Sequence, residues 1–184
     1  MTAASFRLGT AQDADAIARL HADSWRRHYR GAYSDAFLDG EVLAERSATW
    51  RERLGEPDPR RRTILAERGQ PIGFANTYLD DDARFGALLD NLHVAAAHQR
   101  QGVGASLVAL TAQAVVERGA AAQSGLYLWV LEQNSAARGF YEALGAVLAG
   151  REPVRSPGGV PGRLHGSPFK LRYAWGDAAA LTER

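Results

Sequence analysis

The 184-residue chain contains no cysteine, which excludes disulfides, thiolate metal sites and a cysteine nucleophile. Lysine is almost absent too. Lys170 is the only one among 22 basic residues, so the positive charge is carried by arginine. Formal net charge is +1, leaving no overall attraction to nucleic acid or an anionic membrane, and neither is expected as a partner. No stretch approaches the roughly 20 apolar residues of a membrane span. The first residues lack the basic-then-apolar order of a signal peptide, so a cytoplasmic location is expected. No internal repeat is visible. The densest basic run, Arg60-Arg61-Arg62, adjoins Pro57 and Pro59 and reads as a solvated loop.

What is present suffices for a core. Apolar residues make up 46%, with four Trp, six Tyr and six Phe. One domain over 1–184 is expected, burying about two-thirds of its unfolded surface. Periodicity predicts strands over 6–8, 63–67, 72–78, 85–94, 126–131, 146–149 and 169–175. Helices are predicted over 13–28, 42–54, 102–117 and 135–144, with Ala14, Ile17, Leu20 and Ser24 as the inward stripe of the first. Residues 80–82 read as a polar turn. Residues 151–168, rich in Gly and Pro, read as a functional or disordered loop. This order is α+β: an antiparallel meander followed by a helix-linked crossover.

Two constellations carry chemistry. In the first, Leu92-His93-Val94 ends a strand and leads through Gln99-Arg100-Gln101-Gly102-Val103-Gly104-Ala105 into a helix. Glycines there let a ligand approach the backbone, and the free N–H groups of a helix start face an anion. Taken alone, Gly-x-Gly is weak evidence, and a plain structural turn explains it better. A dinucleotide fingerprint fails for want of a third glycine, and a phosphate-binding loop for want of Gly-Lys-Ser/Thr. In the second, Asn134 and Tyr141 stand seven residues apart, two turns along one helix face. One ligand could meet an amide and then a phenol. Asn134 as a helix cap and Tyr141 as core is the competing reading.

Together the two constellations closely resemble the Gcn5-related N-acetyltransferase (GNAT) superfamily. Its loop pattern stands here as Gln99-x-x-Gly102-x-Gly104, and its later motif as Asn134-x-x-Ala137-x-x-Phe140-Tyr141-x-x-x-Gly145. Ala146 replaces the usual Phe after that glycine, and Gln99 is the less common choice at its position. Residues 21–39 further resemble a broad bacterial subgroup. The resemblance implies an α/β sandwich, with a mixed, mainly antiparallel sheet of about seven strands and about four helices. It also implies direct acetyl transfer from acetyl-CoA, the co-substrate, to a primary amine of a small molecule or peptide, with no metal. A homodimer through the last strands stays open.

Carried onto this chain, the resemblance assigns Leu92, His93 and Val94 to the pantetheine and thioester through backbone groups. It assigns Gln99, Arg100, Gln101, Gly102, Val103, Gly104 and Ala105 to the pyrophosphate. Asn134 would hold the pantetheine arm, and Tyr141 would protonate the leaving sulfur. Asp90 is the first candidate base: strand alternation puts it on one face with Leu88, Leu92 and Val94, a carboxylate among apolar neighbours. A solvated strand residue is the equal alternative. His93, facing the other way unless a bulge re-aims it, follows, with Glu132 a distant third and a base reached through water also open. Trp25, Tyr29 and Tyr33 could line the acceptor wall, though Trp25 also suits a core. Arg155, Arg163 and His165 could meet an acidic acceptor, although plain solvent exposure is the preferred reading for all three. A catalytically silent acyl-CoA-binding or sensor domain is the alternative function, against which Tyr141 and the intact loop argue.

Overall fold

In the computed structural model, which describes residues 3–118 and 124–182, the apolar runs become strands of one sheet. An antiparallel meander is formed by β1 (Ser5–Leu8), β2 (Arg61–Glu67), β3 (Pro71–Asp82) and β4 (Gly86–Val94). Strands β5 (Leu126–Leu131), β6 (Val147–Pro153) and β7 (Phe169–Trp175) complete the order β1-β2-β3-β4-β5-β7-β6. Among the described strands only β4 and β5 pair in parallel. The sheet is flanked by α1 (Ala14–His28), α2 (Val42–Gly55), α3 (Val103–Glu117) and α4 (Ser135–Ala143). The mixed seven-stranded sheet with four helices is thus as the sequence implied. Among the described residues no helix is long and apolar enough to cross a membrane.

Both faces of the central strands are covered, which is why they read as continuous apolar runs rather than alternating ones. Phe74 and Ala75, neighbours on β3, are fully buried on opposite sides. Ala75 joins Leu107, Val108 and Ala112 of α3, while Phe74 joins Ile17 and Ala18 of α1 and Trp50 of α2.

Several boundaries differ from expectation. Strand β3 takes in Asp80-Asp81-Asp82, read as a turn, and β2 takes in Arg61 and Arg62, read as loop. Strand β6 runs on to Pro153 because Arg151 and Glu152 pair with Leu171 and Lys170 of β7. The remaining connection, 154–168, is a strap rather than a free loop. Ser34 N–H donates to Arg163 O (2.9 Å) and His165 N–H to Ala32 O (2.8 Å), while Leu164 packs on the Trp25 cluster.

The site is set by how β4 and β5 diverge. They pair only at Ala87–Leu126 and Leu88–Tyr127, then part. Two glycines pinch this closed end. A Cβ on Gly86 would lie 2.2 Å from Gly125 O, and one on Gly125 would lie 2.6 Å from Phe85 O. No other residue allows that approach. Opposite the split, β4 carries a bulge: Asn76 pairs with Asn91 and Thr77 with Leu89, leaving Asp90 without a partner. The extra residue reverses the strand's alternation. Leu89, Leu92 and Val94 therefore face the α3 side, whereas His93 faces α1. The expectation that Leu88, Asp90, Leu92 and Val94 share one face is corrected accordingly.

Candidate active site

A cleft of about 280 Å³ occupies the gap between the diverging strands. Beyond Leu88 and Tyr127 the facing edges of β4 and β5 leave backbone N–H and C=O groups without a ladder partner. Leu92, His93 and Val94 line one wall, and Leu128, Trp129 and Val130 the other.

At one end of the cleft stands the start of α3. Arg100 and Gly102 both adopt left-handed backbone, with φ of 58° and 82°. This double turn carries the chain from the end of β4 into the helix. Gln99 Nε2 donates to Val94 O (3.0 Å) and ties the loop to the strand. No side chain caps the helix, and its first turn holds no acid. The N–H groups of Val103, Gly104 and Ala105 consequently point outward from the positive end of a 15-residue dipole. A Cβ on Gly104 would sit 3.4 Å from the Phe140 ring, so glycine lets the starts of α3 and α4 converge. Of the loop residues singled out in the sequence, Gln99, Arg100 and Gly104 line the cleft, while Gln101, Gly102, Val103 and Ala105 do not. Val103 is buried in the core. Gln101 turns away, donating to Ala97 O (3.0 Å) and accepting from Arg68 Nη1 (2.8 Å).

Asn134 and Tyr141 both line the cleft. Asn134 Oδ1 caps α4 by accepting Ala137 N–H at 3.2 Å, so the cap reading holds, and the side chain still reaches the cleft. Tyr141 packs edge-on to Trp175 with ring centroids 6.3 Å apart. Its hydroxyl has no hydrogen-bond partner among the described residues. Burial, reinforced by Tyr29, raises its pKa well above the ordinary tyrosine value. The phenol therefore carries its proton in the resting cleft at neutral pH.

The other wall comes from α1. His93 Nδ1 lies 2.7 Å from Ser24 Oγ, and its ring packs on His21 with centroids 4.5 Å apart. His21 Nδ1 in turn accepts from Trp50 Nε1 at 3.0 Å. Burial, then the charges of His28 and Arg46, push the His93 pKa down to about 3. Burial and His93 hold His21 well below its ordinary value. Both imidazoles are neutral at pH 7. Tyr29 lines the cleft, its phenol pushed up to about 12 by burial and then by Asp90. Trp25 and Tyr33 do not line it. They are buried beneath Tyr29 in an aromatic cluster, Trp25 stacked on Tyr29 at 5.2 Å with the Arg46 guanidinium 4.4 Å above its ring.

Asp90 lines the cleft, but not as a lone carboxylate among apolar groups. Arg53 Nη1 donates to Asp90 Oδ2 (2.8 Å) and to Asn91 Oδ1 (3.0 Å). The bulge turned Asp90 towards α2, which alternation alone could not show. Glu132 is outside the cleft and is bound by Arg151 at 2.8 Å. Arg163 is held by Glu41 at 2.8 Å and stacks on Phe37. Ser24, His28, Asn91 and Trp129 line the cleft without having been singled out as site residues. Ser24 already stood on the inward stripe of α1, and His28 follows it at the i+4 spacing that shares a helix face.

The sequence pattern of the Acetyltransferase (GNAT) family matches residues 16–146. The chain is 28% identical over 136 residues to the uncharacterized N-acetyltransferase YuaI of Bacillus subtilis, covering 72% of this chain and 73% of that one. Its fold resembles PaiA N-acetyltransferase of Thermoplasma acidophilum, solved with coenzyme A. That likeness has a TM-score of 0.71 and 17% identity, over 95% of this chain and 100% of the other. A GCN5-related N-acetyltransferase structure from Rhodopseudomonas palustris gives 0.70 and 21%, over 96% and 97%. A match spanning more than half the sequence, on the fold that such enzymes share, decides the class: the chain belongs to the acetyltransferase (GNAT) family and is an N-acetyltransferase.

Proposed function

We propose that the β4–β5 cleft binds acetyl-CoA and passes its acetyl group directly to a primary amine of a small molecule or peptide. One domain, built on a single sheet drawing strands from residues 5 to 175, would do so. The observation that carries this reading is the alignment in one cleft of an uncapped helix start, two free strand edges and a protonated phenol. Bound acetyl-CoA supplies a thioester whose C–S bond breaks as the amine forms a C–N bond.

The chain's residues divide the remaining work. The α3 N–H groups and Arg100 hold the diphosphate through the helix dipole and the nest of left-handed residues before it. The carboxamide of Asn134 and the free edge of β5 hold the pantetheine arm. Backbone N–H groups around Leu92 stabilise the negative charge that develops on the carbonyl oxygen. Tyr141 gives its proton to the leaving sulfur, whose thiol has an ordinary pKa of about 8.5. On the acceptor side, Ser24 fixes the His93 ring through Nδ1, and Nε2 has no partner among the described residues. A neutral imidazole in that position accepts a hydrogen bond from the incoming amine and takes its proton once the C–N bond forms. Only the neutral amine carries the lone pair that attacks the thioester, so the reaction uses the amine in its deprotonated form.

The test is thiol release from acetyl-CoA with a panel of amines, run on the natural protein and on Tyr141→Phe. The variant should bind acetyl-CoA with unchanged affinity and turn over about 10²–10⁴-fold more slowly. Equal turnover would reduce Tyr141 to a packing residue.

A further inference from the structure

Beside the cleft, on the face that bears α1, the sheet carries a cationic platform on β5 and β7. Leu126, Leu128 and Val130 of β5 point into the core beneath α3, so Trp129 between them points to the opposite face. Trp129 also lines the cleft. Arg172 stands directly across from it on β7, and Lys170, two residues earlier, shares that face. The guanidinium of Arg172 lies 4.5 Å and the ammonium of Lys170 4.1 Å from the centre of the Trp129 ring.

These two cations are under-compensated. Arg172 Nε is buried and has no hydrogen-bond partner. Glu152, across from Lys170 on β6, serves both cations from 3.6 and 3.5 Å, longer than a hydrogen bond. Exposed Arg155 adds positive charge beside Lys170. Asp82 also feels Arg172, but its Oδ1 already accepts the backbone N–H groups of Arg84 and Phe85. Asp81 accepts the Tyr127 hydroxyl. At the reacting end the position is similar: Asp90, the one carboxylate lining the cleft among the described residues, is bound by Arg53. A polycation would find no free counter-charge at either end.

We infer that the Trp129–Lys170–Arg172 platform receives a carboxylate carried by the acceptor, making amino-carboxylates, amino acids above all, the preferred acceptors over polyamines and other polycations. The inference rests on the acetyl-transfer reading of the cleft. The amine reaches between the strands towards His93, and the carboxylate lies back over Trp129 between the two cations. Charge-assisted hydrogen bonds from a guanidinium and an ammonium fix such a group in direction as well as in charge.

The experiment compares matched pairs, phenylalanine with phenethylamine and lysine with cadaverine. Thiol release from acetyl-CoA is one readout, and calorimetric binding to the CoA-loaded protein is the other. Carboxylate-bearing members should be favoured on the order of tenfold or more. That ratio should collapse towards one in Arg172→Gln and in Lys170→Gln, the second guarding against misfolding of the first. Acetyl-CoA affinity, measured on the same samples, separates failure of the site itself from failure of this inference. With acetyl-CoA bound, three outcomes overturn it: decarboxylated partners preferred or equal, an unchanged ratio in both variants, or no carboxylate-bearing amine that binds or reacts.

Discussion

Burial moves Tyr141 and His93 in opposite directions along the pH scale. It disfavours the charged form of each, so Tyr141 stays a phenol and His93 stays a free base. A donor that is protonated and an acceptor that is unprotonated before the reaction suit the two ends of an acetyl transfer. The pH dependence of turnover should then come from the substrate. Below the amine's own pKa, kcat/KM should rise with pH and then level, and an amine of lower pKa should move the break down with it. His93→Gln should lower the plateau on the order of 10²-fold without shifting the break. Asp90 is the rival base. Asp90→Asn should leave the profile's shape intact and cost about 1 kcal/mol, since the ion pair with Arg53 is partly exposed and the isosteric amide can still accept from the guanidinium. A profile flattened by Asp90→Asn instead would return the role to Asp90.

At the scale of elements, the divergence of β4 and β5 depends on the Gly86–Gly125 pinch. Gly125→Ala would push a methyl to within 2.6 Å of Phe85 O, a backbone atom that cannot swing aside. We expect a loss of about 1–3 kcal/mol from overpacking, read as a lower denaturant midpoint. A midpoint equal to that of the natural protein would mean the strands tolerate a wider start. The helices and most strands were legible because their periods are written in the sequence, and the α3 loop because glycines and strand end fall in order. The Asp90 bulge was not legible. One extra residue leaves no mark in composition, yet it decides which of Asp90, Asn91 and His93 face α1 and α2. Nor was the strap: the backbone bonds of Arg163 and His165 to Ser34 and Ala32 are long-range and carry no local signal. Trp25 and Tyr33 show the same limit, since an aromatic at helix spacing serves a wall or a core equally.

For the molecule as a whole, two imidazoles held neutral under α1 couple stability to acid. Their folded pKa values lie below the unfolded value of about 6.5, so the unfolded chain binds more protons beneath that pH. The stability they contribute is complete above about pH 6.5 and is lost as pH falls towards the folded values. Each fully titrating histidine adds a slope of about 1.4 kcal/mol per pH unit. Urea midpoints should therefore hold level down to about pH 6.5 and drop from there to about pH 5, and His93→Gln should flatten the drop. A curve unchanged by that substitution would place the acid sensitivity elsewhere.

The central claim is that acetyl-CoA lies in the β4–β5 cleft with its diphosphate on the start of α3. Gly104 lies on that first turn and lines the cleft, where a carboxylate would oppose the diphosphate directly. Calorimetric titration of acetyl-CoA into the natural protein and into folded Gly104→Glu tests this most directly. The account predicts one site per chain in the natural protein and affinity weakened at least about 100-fold in the variant. Equal affinity in the two would contradict it.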